Sequence, residues 1–214
     1  MSEMRFYGKR ILFIGAHPDD IELGCGAFIA QIASQTEVRC VTLSDNQKDP
    51  ALKNLPNEHF TAMAALGVKP DRVSLLTYET RRFPFFRQEI LEEMVKLQRE
   101  FQPDIVFVHT SADVHQDHKT VTEEALRAFR GRTVLGFDVI RSSYGFFPNF
   151  LVSVTEEQVN SKIQSLRCYK TYQSKYYFDP EITRATLIRN GAICERKFAE
   201  GFDILRIVAS FGKD

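Results

Sequence analysis

Short apolar, β-branched runs alternate with helical patterns from Arg10 to about Thr133, and few folds accept that alternation. The runs cover residues 10–16, 38–43, 73–77, 104–108 and 133–140. Helical stretches fall between them, at about 26–34, 57–66, 87–101 and 119–129. Strand, helix, strand repetition predicts an α/β fold with a mostly parallel sheet, right-handed crossovers and flanking helices. Gly67 is placed to take the left-handed position that closes the second helix. Beyond Thr133 the pattern loosens. Residues 150–154 read as a strand, and Thr155 with Gln158 as the capping box of a helix reaching about Tyr169. Residues 180–190 read as a helix ending at Gly191, and 197–208 as a returning strand. The polar segment 44–50 reads as a loop. No repeat, low-complexity tract or linker interrupts the pattern, so a single domain over 1–214 is expected.

A chain of 214 residues can bury a substantial core without staples. Its 28 basic side chains balance 28 acidic ones, so no bulk charge draws it to nucleic acid or an anionic membrane. No apolar run is long enough to span a bilayer, and residues 1–5 do not open a signal peptide. Cys25, Cys40, Cys168 and Cys194 lack CxxC spacing and read as small buried hydrophobes in a reduced, cytoplasmic setting. Cys25, between Gly24 and Gly26, reads as packing at a helix start rather than as a metal ligand.

Two of the runs lead straight into chemistry. The first opens on His17-Pro18-Asp19-Asp20-Ile21-Glu22, and the 104–108 run leads through His109 and Asp113 to His115-Gln116-Asp117-His118. Ligands of open α/β sheets bind outside the carboxyl ends of the strands, so the two clusters can meet although far apart in sequence. A catalytic zinc takes three nitrogen or oxygen ligands and keeps one position open. The first motif can supply His17 and one of Asp19 or Asp20; the second can supply His118 or His115. The carboxylate left over suits a general base, and the spare histidine suits polarising a carbonyl and protonating a leaving group, with Asp117 near enough to orient it. Each motif also has a plain structural reading. HPDD suits a turn and helix cap, and HxDH suits two surface histidines beside a cap. Their pairing at two strand ends is what favours a shared metal site.

These two motifs resemble the signatures of the PIG-L/LmbE-like deacetylase family. Weaker echoes are Glu58 with Leu66-Gly67, residues 81–91, Lys162 with Tyr172-Gln173-Ser174, and Phe198-Ala199-Glu200-Gly201-Phe202. The resemblance implies a Rossmann-like fold and one zinc, or another divalent ion, per chain. It implies removal of an acetyl group from an N-acetylglucosamine-type amino sugar, and the acceptor could be a nucleotide sugar, a lipid-linked sugar or a small glycoside. It further implies that His17, Asp20 and His118 hold the metal, that Asp19 is the general base, and that His115, oriented by Asp117, polarises the amide carbonyl and assists departure of the amine. In the mechanism expected from this, a protonated His115 shares the developing oxyanion charge with zinc. Glu22 fits support rather than ligation. The chain departs from the family pattern at Leu55, where relatives often carry arginine, and at Gln116, where they often carry proline. The loop after the second strand lacks a common glycine-glutamate pattern, which leaves sugar recognition open. The partner expected is a small acetylated amino sugar, and the sequence leaves a homo-oligomer open.

A metallophosphoesterase is the rival enzyme class, although two-metal sites need more carboxylates than these motifs offer. A nucleotide-binding module is the non-enzymatic rival, but no GxGxxG follows the first strand. Arg81, Arg82 and Arg141 are candidates for contacting a phosphate or sugar, and equally plain solvated cations. His59 reads as structural, and His109 is left undecided.

Overall fold

The structure, a computed structural model, describes residues 8–46 and 48–209. The reading of residues 1–5, and that of Gln47 in the 44–50 loop, lie outside the described residues. Among these, the strands β1 (Arg10–Gly15), β2 (Glu37–Thr42), β3 (Val73–Leu75), β4 (Ile105–His109), β5 (Thr133–Phe137), β6 (Phe150–Ser153) and β7 (Ala199–Arg206) form one sheet. Its order is β3-β2-β1-β4-β5-β7-β6. The first five strands are parallel, as the alternation predicts, while β7 runs antiparallel to β5 and β6. The helices are α1 (Asp20–Ile32), α2 (Leu55–Ala65), α3 (Arg87–Glu100), α4 (Gln116–Ala128), α5 (Glu156–Arg167) and α6 (Pro180–Ile193).

Side chains of β1 alternate between two cores, as the two-residue period of a strand requires. Ile11 and Phe13 pack with Phe28 of α1 and Met63 of α2; Leu12 and Ile14 pack with Met94 of α3 and Val121 of α4. Burying each such side chain stabilises the fold by about 1.5–3 kcal/mol. The chain leaves β1 toward β2 and later returns on the other side as β4, with Ile11 opposite Ile105 and Phe13 opposite Phe107. That reversal opens a crevice at the carboxyl ends of β1 and β4, where both motifs lie.

Several boundaries differ from expectation. Helix α1 begins at Asp20 rather than near Gly26, because the acidic motif itself supplies the first turn, where carboxylates meet unpaired N–H groups. Gly24 and Gly26 therefore sit inside the helix, and close packing explains them. A Cβ at Gly24 would stand 2.4 Å from Phe137, and one at Gly26 2.9 Å from Lys162. Helix α4 likewise starts at Gln116 instead of Lys119, placing His118 in its first turn. Strand β5 stops at Phe137 because the next residues turn, with Ser142 N–H and Ser143 Oγ both donating to Val139 O. Helix α6 passes through Gly191, which is needed there because a Cβ would meet Arg196 O at 2.6 Å. The Thr155–Gln158 capping box is present. Cys25 belongs to the core beside Phe28, and burial pushes its thiol pKa well up.

A buried ion pair ties the C-terminal part to α1. Lys162 Nζ donates to Glu200 at 2.6 Å and to Leu23 O at 2.6 Å, while Glu200 accepts from the backbone N–H of Ala27 and Phe28 at 3.0 and 2.6 Å. Each charge thus has its opposite charge and at least one backbone group as hydrogen-bond partners, which is what makes its burial tolerable.

Candidate functional site

His17 follows β1 and Asp20 opens α1, and between them Asp19 takes the N-cap with φ 102°, a left-handed conformation that costs a non-glycine residue about 1–2 kcal/mol. The turn is fixed by His17 N–H donating to Asp20 Oδ2 at 2.7 Å. Across the crevice, His115 caps α4 and His118 projects from its first turn. Three donor atoms then face one another. His17 Nδ1 and His118 Nε2 are 3.3 Å apart, and Asp20 Oδ2 lies 3.5 Å from the first and 3.4 Å from the second.

That triangle suits a tetrahedral ion. Bonds of about 2.0–2.1 Å place the ligands of such an ion about 3.3 Å apart. Each histidine is also backed by a carboxylate on its other ring nitrogen: His17 Nε2 lies 2.9 Å from Asp117 Oδ2, and His118 Nδ1 lies 2.8 Å from Asp113 Oδ2. Such pairs fix the tautomer that turns a lone pair toward a metal. Asp113 is further held by His115 N–H, Ser142 and Ser143. Two imidazole lone pairs and a carboxylate oxygen converging on one point repel unless positive charge lies between them. A proton can play that part. Burial pulls the His17 pKa down, but Asp117 and Asp20 outweigh it and hold the imidazole at about 9. Burial also opposes ionisation of Asp20, yet His118, His109 and His17 keep its carboxyl well below the usual range.

Asp19 behaves differently from its neighbour. Burial and the adjacent Asp20 raise its pKa well above the ordinary carboxylate value, although Lys175, His17 and Arg141 pull the other way. Two adjacent carboxylates are thus shifted in opposite directions, Asp20 toward the anion and Asp19 toward the protonated form, a pattern found where acid–base chemistry is done.

The expected pairing of Asp117 with His115 is not what the structure shows. The Asp117 carboxylate accepts from His17 and from the backbone N–H of Arg81 (2.6 Å) and Phe83 (3.2 Å). His115 is oriented instead by the Asp117 backbone, whose N–H donates to Nδ1 at 3.1 Å. Nor is His115 cationic in the resting site. Burial, then the neighbouring His118 and His17, hold its pKa down to about 4. With Nδ1 accepting, the neutral ring carries its proton on Nε2.

The residues left open by sequence also find places. His109 is fully buried and stacked on His118 at 3.8 Å between centroids, with Nε2 accepting from Ala16 N–H. His59 sits in a buried network with Thr42, Glu22 and Tyr169, which places Glu22 behind the motif. Arg82 pairs with Glu79 and stacks on Phe85. Arg81 and Arg141 line the cleft.

The cleft has a volume of about 760 Å³, within the range of small-molecule sites. His17, Asp19, Asp20 and His115 form its floor, and Arg141, Tyr172, Lys175 and Tyr177 one wall. Asp113, Lys175 and Tyr177 were given no role by sequence reasoning. A carboxylate five residues before His118 was the available signal for Asp113; irregular segments carry none for the other two.

Among the described residues two groups could hold an ion, His17–His115–His118 and Asp20–His109–His118; they share His118, and the triangle takes His17 from the first and Asp20 from the second. In sequence the chain is 33% identical over 170 residues to the uncharacterized deacetylase YaiS of Escherichia coli (strain K12), covering 76% of this chain and 91% of that one. The N,N′-diacetylchitobiose deacetylase of Pyrococcus horikoshii shares the fold, with a TM-score of 0.77 over 92% of this chain and 84% of that one at 21% identity. So does the 4-carboxy-2-hydroxymuconate hydratase of Pseudomonas putida KT2440, with a TM-score of 0.75 over 96% and 100% of the two chains at 18% identity. The family model described as PIG-L, GlcNAc-PI de-N-acetylase, matches residues 12–129, a span holding both motifs and every donor of the triangle, and this chain is a member of the PIG-L family.

Proposed function

We propose that this chain is a zinc-dependent N-deacetylase that releases acetate from an N-acetylated amino sugar. The observation that carries the reading is the donor triangle of His17, Asp20 and His118, each histidine backed by a carboxylate, with a proton-accepting Asp19 beside it. Relationship to deacetylases supports amide hydrolysis over hydration, since the fold is common to both.

In this reading His17, Asp20 and His118 hold zinc. The ion supplies Lewis acidity, lowering the pKa of a water toward neutrality and polarising a carbonyl. Asp19 takes the proton of the attacking water, a task its raised pKa suits. His115 donates from Nε2 to the carbonyl oxygen as charge develops on it; a neutral imidazole can do this, and burial, with His118 and His17 beside it, keeps it neutral. Asp19 then returns its proton toward the departing amine, within reach of the cleft floor. Asp117 and Asp113 orient the two zinc-holding histidines. A two-metal phosphoesterase is disfavoured, because both donor groups among the described residues depend on the same His118 and Asp20 is their one carboxylate.

The test is metal content together with acetate release from a panel of N-acetylated sugars. Zinc near one equivalent with acetate from at least one sugar is expected, both lost in His17→Ala. Acetate release that survives chelation and His17→Ala would overturn the reading.

A further inference from the structure

The wall of the cleft formed by Arg141, Tyr172, Lys175 and Tyr177 carries an arrangement that the hydrolytic chemistry does not use. Arg141, in the turn after β5, donates from Nη1 to Tyr177 Oη at 3.3 Å, and its guanidinium lies 5.4 Å from the centre of the Tyr177 ring. Lys175 Nζ stands 3.2 Å above the Tyr172 ring and 5.8 Å from that of Tyr177. Two cations therefore flank one aromatic ring, and both line the cavity. Neither joins an ion pair among the described residues, whereas Lys48, which also lines the cleft, is paired with Glu79 at 2.7 Å.

Holding two like charges together has a cost. Burial lowers the Lys175 pKa, and Arg141 lowers it further, with only Asp19 opposing. Asp19 lies on the cleft floor and attracts both cations, yet it is not within ion-pair distance of either. The tyrosine rings hold the two side chains by cation–π contact, which fixes their position without neutralising them. A guanidinium and an ammonium so placed, the first exposed at the cleft and the second partly buried, neither paired with a carboxylate, can take anionic oxygens.

Building on the deacetylase reading, we propose that Arg141 and Lys175 form an anion subsite, so that the acetylated sugar taken by this cleft carries a phosphate or carboxylate beyond its acetamide. The cavity of about 760 Å³ leaves room for such a substituent beside a sugar ring. Tyr177 is the positioning residue, since it contacts both cations.

The experiment compares the zinc-loaded protein with its Arg141→Gln and Lys175→Gln variants, each checked for an unchanged melting transition. Calorimetric titration with glucosamine, glucosamine 1-phosphate and muramic acid reads binding of the amine product in neutral, phosphate and carboxylate forms. Acetate release from the three N-acetylated counterparts reads turnover. At least one anionic amine is expected to bind about 10–100-fold more tightly than glucosamine, the value of hydrogen bonds to a charged group, and each variant is expected to reduce that preference about tenfold or more. Which arm shows the preference identifies phosphate or carboxylate. A wild type without preference overturns the proposal. So does a preference that survives both variants, which would seat the anion on the metal, or an equal loss for neutral and anionic ligands, which would confine the cations to a role toward Asp19. A variant-sensitive preference without acetate from any sugar sinks the deacetylase reading and leaves the subsite standing. Acetate from all three sugars at equal kcat/KM, with equal affinities, does the reverse.

Discussion

The floor and the wall of the cleft are built on different principles. The floor comes from the ends of two adjacent parallel strands and the first turns of α1 and α4, and its His17, Asp20 and His118 are buried and hydrogen-bonded. The wall comes from irregular segments after β5 and α5, where cations rest on tyrosine rings. The floor can only be altered at the cost of its chemistry or its stability. The wall can exchange residues freely as long as the scaffold stands, which is how one fold comes to serve different substrates.

Turnover should be the most sensitive to a change in the floor. Asp19→Asn keeps the shape and removes the proton acceptor, so acetate release should fall by roughly 10²–10⁴-fold with zinc retained. Zinc loss in that variant, with Asp20→Asn metal-replete, would reverse the roles of the two carboxylates. The next largest effect lies beneath the floor. Lys162→Met leaves Glu200 buried without its cation and should cost about 3–5 kcal/mol in urea unfolding, with Glu200→Gln in the same chain recovering part of it. If the single change costs under about 1 kcal/mol, α1 is not anchored through this pair.

A smaller effect is expected one step back from the donors. Asp113→Asn removes the carboxylate on His118 Nδ1 and should weaken zinc about 10–100-fold in a competition titration without unfolding the protein. Unchanged affinity would mean that packing against His109 is enough to orient the ring. The smallest concerns the turn that carries the wall. Burial raises the Asp138 pKa from 3.8 to about 6, against the pull of Ser143 and Lys162. Its folded-state pKa lies above the unfolded one, so ionisation destabilises the fold progressively between about pH 4 and 6 and fully above that. Asp138→Asn should therefore stabilise the protein by about 1–2 kcal/mol at pH 7, after discounting for partial exposure, and by little at pH 4. Thermal unfolding at both values checks the sign.

The same contrast explains what sequence could and could not convey. The parallel half was legible because buried strands and amphipathic helices leave periodic apolar runs, and the two motifs stand where such strands end. Helix starts were misplaced at α1 and α4 because charged residues, rather than apolar ones, form their first turns. Which partner Asp117 takes was illegible from local spacing: it sits two residues from His115 yet binds His17, a hundred residues away. Lys175 and Tyr177 carry no periodic signal, since only the tertiary path of the 170–178 segment brings them to Arg141.

The reach of Asp117 to His17 has a further consequence, in the order of events during synthesis. His17 cannot acquire its fixed tautomer until the chain has extended past Asp117 and α4 has docked beside β1. Closure of so long a loop belongs among the slow, non-local steps of folding. A nascent chain halted before α4 offers an incoming ion only the first histidine and its neighbouring acids. On the proposed reading metallation is therefore a late step in the maturation of this protein, and a bound ion would report that the two halves of the parallel sheet have been joined.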